Sequence, residues 1–221
     1  MPALRRTVAM LGVVLALGCC LILGRPGQAQ EKSPVEAKPG GNAPPASAEA
    51  RLREQFDLLV ASPTKENYLA AHKLLVACDK YSPYSTDLGD AAQAANTQQP
   101  EEARAKLRQA GINVLLSPRA HMLAARLATA AGDPSAAKKE AAAAKSCLAG
   151  IMATGDGSAK KPYLVSRVED EYDVLSSAGK RSTRQGLRMD QGKSYDVIFT
   201  SDGGEVHFDV SDVFGSLQRR H

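Results

Sequence analysis

From Ala48 to about Met152 the apolar residues recur at helical spacing, and this constrains the fold more than any other feature of the chain. Leu52, Phe56, Leu59 and Val60 fall at i, i+4, i+7 and i+8, and Tyr68, Ala71, Leu75 and Cys78 at i, i+3, i+7 and i+10. Each stretch presents one apolar stripe, as an amphipathic helix must. Punctuation is regular. Ser62-Pro63, Ser82-Pro83, Gln99-Pro100, Ser117-Pro118 and Asp133-Pro134 each read as a helix start. Proline is tolerated there because the first-turn N–H has no helical partner to lose.

The spacing of those starts suggests repetition. Pro100 and Pro134 lie 34 residues apart, and Pro83 and Pro118 lie 35 apart. A period of this length, with two helices in each repeat, belongs to helical-hairpin arrays. The stretch HMLAARLATAAGDPSAAKKEAAAAKSCL, with its small residues and its Gly132-Asp133 turn, resembles a tetratricopeptide repeat. The resemblance implies three degenerate hairpins stacked in chain order over residues 48–152. An unrelated alanine-rich bundle is the alternative. In a sequential stack, Cys78 and Cys147 sit on equivalent helices two repeats apart. Helices of adjacent repeats are about 8–10 Å apart, and a disulfide needs Cα atoms within about 7 Å, so both thiols are expected to be buried and free.

The pattern changes after Gly155. Tyr163-Leu164-Val165 is a short strand candidate, and Ser166 and Glu169 have the spacing of a capping box before a helix that ends at Gly179. Tyr195, Val197 and Phe199 alternate with polar positions, Ser201-Asp202-Gly203-Gly204 reads as a hairpin turn, and Val206, Phe208 and Val210 alternate again. A further strand is possible through Thr183 to Met189. The expected fold is therefore mainly α: tetratricopeptide-like helical hairpins followed by a small α+β unit, 155–221, with an antiparallel sheet. A unit of this size is marginal alone and is expected to pack on the last repeat.

The ordered set Gly155-Asp156-Gly157, Tyr163, Val165, Asp170-Glu171-Tyr172, Leu175, Gln185, Tyr195-Asp196 and Phe208-Asp209-Val210-Ser211 resembles a family of exported bacterial proteins, domain of unknown function 4919. The resemblance implies a similar architecture and no activity. Lys180-Arg181-Ser182-Thr183-Arg184 departs from the apolar step that family has after its helix.

The N-terminal segment sets the expected compartment. Arg5 and Arg6 precede an uncharged apolar run from Thr7 to Leu23, followed by Gly24-Arg25-Pro26 and the small-residue pattern Gly27-Gln28-Ala29. That order reads as a signal peptide, 1–29, cleaved before Gln30. The run is short for a membrane span of roughly 20 residues. Leu17-Gly18-Cys19 offers the alternative of a membrane-anchored lipoprotein, although Ala16 and the apolar residues after Cys19 do not suit it. Residues 30–47, rich in Pro, Gly and Ala, read as a disordered linker. Formal net charge falls from +4 to +1 once Arg5, Arg6 and Arg25 leave with the signal, which holds no acid. A near-neutral mature chain carries no nucleic-acid footprint, and no membrane span is expected after signal removal.

Candidate chemistry is sparse. Gly192-Lys193-Ser194 resembles the end of a phosphate loop, but Leu187 stands where the earlier glycine is needed and a strand follows in place of a helix. A turn between strands explains it. His207 and Asp209 share one strand face with Asp212 close behind, yet no further ligand clusters with them. Asp156 in GDGSAKKP reads as a linker turn and not as a calcium loop. Glu169, Asp170, Glu171 and Asp173 fit a helix first turn, where negative charge offsets the macrodipole. No catalytic residue, metal ligand or cofactor site is expected. Two functions follow. One is an exported, periplasmic or secreted interaction module that binds an envelope protein or peptide through its helical hairpins. The other is a small-ligand binder or enzyme with its site between the repeats and the sheet, near Tyr163, Tyr172 and His207. An open groove on the hairpins would favour the first, and a deep polar pocket at the junction the second.

Overall fold

The computed structural model describes residues 47–218, which fall within one compact unit, Pro44–His221. The signal peptide, its cleavage site, Cys19 and the linker up to residue 46 lie outside the described residues. The described chain is mostly helical, with a four-stranded mixed sheet near its C-terminus. Its elements are α1 (Ala48–Ala61), α2 (Lys65–Val76), α3 (Asp87–Asn96), α4 (Pro100–Ala110), a 3-10 turn (Gly111–Val114), α5 (Pro118–Ala130) and α6 (Pro134–Thr154). There follow β1 (Tyr163–Leu164), α7 (Glu169–Ser177), β2 (Ser182–Asp190), β3 (Lys193–Thr200), β4 (Glu205–Asp209) and α8 (Ser211–Gln218).

Local chemistry explains the helix boundaries. Pro100, Pro118 and Pro134 each occupy the first turn of a helix, and Asp133 caps α6 by accepting from the Ala136 N–H. Pro63 and Pro83 instead lie ahead of their helices; Thr64 caps α2 through the Asn67 N–H. The expected capping box at Ser166 does not form. The Ser166 hydroxyl donates to the Asp170 carboxylate, and α7 has no side-chain cap.

The helices pair as three hairpins, α1/α2, α3/α4 and α5/α6, but they are not stacked in chain order. The first hairpin packs on α6, and the second packs on α5. Hairpin three is therefore central. Two cores follow from this order. Leu88, Ala91, Ala103, Leu123 and Leu127 join α3, α4 and α5. Leu52, Leu59, Tyr68 and Leu75 instead share a core with Ile151, Val174, Ile198 and Phe208, so the first hairpin and the sheet are one body. Close approach of α2 to α6 depends on Gly150, where an added Cβ would come within 2.7 Å of the Tyr68 ring.

Hydrogen bonds reinforce that joint. Three consecutive carbonyls, from the end of β1 into the segment before α7, accept from side chains on or just after the first hairpin: Leu164 from the Tyr68 hydroxyl at 3.2 Å, Val165 from His72 Nε2 at 3.4 Å and Ser166 from the Tyr81 hydroxyl at 2.7 Å. Burial pushes the Tyr68 hydroxyl well up and the His72 ring down, the latter opposed in part by Asp212. The small α+β unit thus rests on the first hairpin as well as on α6.

The sheet order is β1-β4-β3-β2. β2–β3 and β3–β4 are antiparallel, as expected, but β1 runs parallel to β4, with Tyr163 beside Phe208. The sheet is mixed because α7 carries the chain from β1 across to β2 at the opposite edge, and the β2-β3-β4 meander then returns β4 beside β1 in the same direction. Gln191-Gly192, both at positive φ, make the two-residue turn between β2 and β3, which accounts for Gly192-Lys193-Ser194. The short helix α8 carried no clear sequence signal.

Cys78 and Cys147 are both free and buried. The spacing argument does not explain this, because α2 and α6 touch directly. Placement along the helices does. Cys78 lies two residues past the end of α2, where its Sγ donates to the Leu74 carbonyl, whereas Cys147 lies one turn before Gly150, which packs on Tyr68 near the start of α2.

Candidate functional site

The out-of-order packing opens a groove. Hairpin three forms its floor, α1 one wall, and α4 with the 3-10 turn the other; the cavity volume is about 690 Å3. Ala120, Ala124 and Ala128 lie at i, i+4 and i+8 of α5 and line it together with Leu127. Small side chains at these positions leave the space that longer ones would fill. Charged groups stand at the rim. Arg53, Arg108 and Lys139 are exposed and take part in no ion pair among the described residues. Arg104 is held by Glu101 and by the Leu127 carbonyl at 2.6 Å.

One wall is fixed by His121. Its ring stacks on Phe56 with centroids 5.3 Å apart. Nδ1 lies 2.7 Å from Glu140 Oε2, and Nε2 lies 2.9 Å from the Leu115 carbonyl. Both partners accept hydrogen bonds, so the ring is fully bonded only with a proton on each nitrogen. The hydrogen bond to His121 holds the Glu140 carboxyl below its ordinary range. His121 thereby ties α1, α6 and the segment before α5 around the groove.

A second polar cluster lies where α7 covers the sheet. Glu171 is wholly buried, and Asp196 on β3 is nearly so. Gln185 on β2 donates to Asp196 Oδ2 at 2.7 Å and to Glu171 Oε2 at 3.4 Å, while its Oε1 accepts from the Tyr172 hydroxyl at 2.8 Å. Burial, and then the nearby Asp196 charge, push the Glu171 carboxyl up to about 10, so it is protonated at neutral pH. Asp170, also wholly buried, accepts from Ser117 at 2.7 Å and Ser166 at 3.2 Å, and burial raises it to about 7. These two acids were read from sequence as first-turn charges offsetting the helix dipole. They do occupy that turn, but they face inward and lock α7 to α5 and to the sheet. Arg119 reinforces the first of these contacts through a two-nitrogen grip on Asp173.

Tyr163, Tyr172 and His207 do not converge. Tyr163 lies on β1, its ring tilted against Phe208 with centroids 5.9 Å apart, and Tyr172 faces Gln185 on β2. These are the two outer strands of the sheet, about 14 Å apart at ~4.8 Å per strand. His207 points to the opposite face from Phe208 and is bonded to Glu205 at 2.9 Å. Asp209, on the same face as His207, binds Lys193 and Ser211. No group of three metal-capable side chains occurs among the described residues, and none of their helices is long and apolar enough to cross a membrane.

No family model, no curated protein and no solved structure matches the chain.

Proposed function

We propose that this chain is an exported, non-catalytic interaction module that holds a segment of a partner protein in the groove floored by hairpin three. The observation that carries the reading is an apolar, alanine-lined floor beneath a rim where three exposed cations without an ion pair among the described residues, Arg53, Arg108 and Lys139, outnumber the exposed acids Asp57 and Asp133. An alanine floor accepts apolar side chains without a specific polar code. Cations at the rim favour acidic neighbours over basic ones. The occupant is therefore a segment with one apolar face flanked by Asp or Glu, laid along the helices as in other helix-lined grooves. The segment belongs to a protein met after export, in the periplasm or outside the cell. The charged groups stand at the rim and do not converge on the floor, which suits a peptide better than a small polar ligand.

A displayed-peptide selection on residues 44–221, repeated with Ala124→Trp, tests this. Apolar, acidic sequences should be enriched on the parent and lost on the variant, whose indole fills the floor. Enrichment that survives Ala124→Trp contradicts the reading. Weaker binding to residues 30–221 than to 44–221 would identify the chain's own N-terminal segment as the occupant.

A further inference from the structure

We propose that the open edge of β2 is a second binding site, which takes an acidic, extended segment of a partner protein as an added strand. β2 is an outer strand nine residues long, paired only with β3 among the described residues. It contains no proline. The two-residue turn makes Asp190 and Lys193 a hydrogen-bonded pair, and pairing then alternates along the register. The N–H and C=O groups of Met189, Leu187 and Gln185 therefore point away from β3. Proteins usually guard such an edge by shortening, covering or interrupting it. This edge is long and uncovered, and it carries two exposed apolar side chains, Leu187 at 51% and Met189 at 72% exposure.

The chemistry of the flanking residues selects the occupant. Arg184 and Arg188 lie on the other face of the strand, over the rings of Phe199 and Tyr195 at 4.0 and 5.3 Å. With Arg181 they bring three cations to a strand whose only acid is Asp190, and none of the three is ion-paired among the described residues. Two copies of so basic an edge repel, whereas a strand with acids on the arginine face and apolar residues on the Leu187 face is complementary. The edge is also held in place before binding. Gln185 is tied to Glu171, Asp196 and Tyr172, so the strand is anchored beside the positions that would pair.

The probe is a short synthetic peptide of alternating glutamate and valine, titrated into isotope-labelled residues 44–221. Amide shifts should centre on Gln185 to Met189 and persist in Ala124→Trp, which separates this site from the groove. The Arg184→Glu/Arg188→Glu double variant should bind at least about tenfold more weakly, as should a peptide N-methylated at alternate amides. Leu187→Lys, which keeps the arginines and the fold, should weaken binding less. Equal binding of a lysine-for-glutamate peptide, equal binding of the N-methylated peptide, or no shifts at millimolar peptide would overturn the proposal. So would sedimentation as a dimer that Leu187→Lys disperses, because the occupant would then be a second copy.

Discussion

Gln185 on β2 bridges Glu171 on α7 and Asp196 on β3, donating to the two carboxyl groups at 3.4 and 2.7 Å in a site that leaves Glu171 wholly buried and Asp196 only 5% exposed. The contact works because Glu171 keeps its proton. Unfolding exposes the carboxyl and returns it from about 10 to its ordinary 4.5. The folded chain therefore binds the extra proton, and the stability this provides is complete below pH 4.5 and lost as pH rises toward 10. Asp170 acts in the same direction between 3.8 and about 7. Glu171→Gln keeps the shape without the ionisation. It should be more stable than the parent at pH 8, by up to about 1.4 kcal/mol per pH unit above the ordinary carboxyl range, and the difference should vanish near pH 4. Urea unfolding at both pH values measures this. A variant less stable than the parent at pH 8 would show that the Glu171 site holds a carboxylate.

The order of the hairpins is testable at one residue. Gly150 lies inside α6, where alanine normally favours a helix by about 1 kcal/mol. Here an added methyl would collide with the Tyr68 ring close to its own Cβ, where the ring cannot swing aside. Gly150→Ala should therefore destabilise the chain by about 1–3 kcal/mol. Stabilisation instead would mean that α2 does not pack on α6, and would restore a stack in chain order.

Cys78 and Cys147 should resist a thiol reagent in the native chain and react, both of them, after unfolding without reductant. Burial raises each thiol above its ordinary range, which suppresses the reactive thiolate. A monomer with no titratable thiol would require an internal bridge and a different arrangement of α2 and α6.

Helix positions were legible because they depend on local pattern: Pro100, Pro118 and Pro134 mark three helix starts, and the apolar stripes give the buried faces. Which hairpin touches which is not local. The 34-residue spacing implied a sequential stack, yet the first hairpin packs on α6, and nothing in either helix announces the other. A groove on the hairpins was expected, but its lining could not be named for the same reason, since Arg53, Ala124 and Lys139 lie on three helices far apart in sequence. Glu171, Gln185 and Asp196 stood out only as members of the ordered motif set that carries the family resemblance. Their convergence required the register of β2 with β3, and the burial of Glu171 could not be told from a solvated first turn. Tyr163 and His207 seemed neighbours, but strand alternation separates them onto opposite faces.

The central claim is that the groove on hairpin three binds a partner segment. The most direct measurement titrates the tightest selected peptide into isotope-labelled residues 44–221 and maps which amides shift. The account predicts shifts clustered at Arg53, Phe56, Ala124, Ala128 and Lys139, abolished by Ala124→Trp and weakened by added salt as screened rim charges require. Shifts confined to other surfaces, or tight binding that Ala124→Trp leaves unchanged, would contradict it.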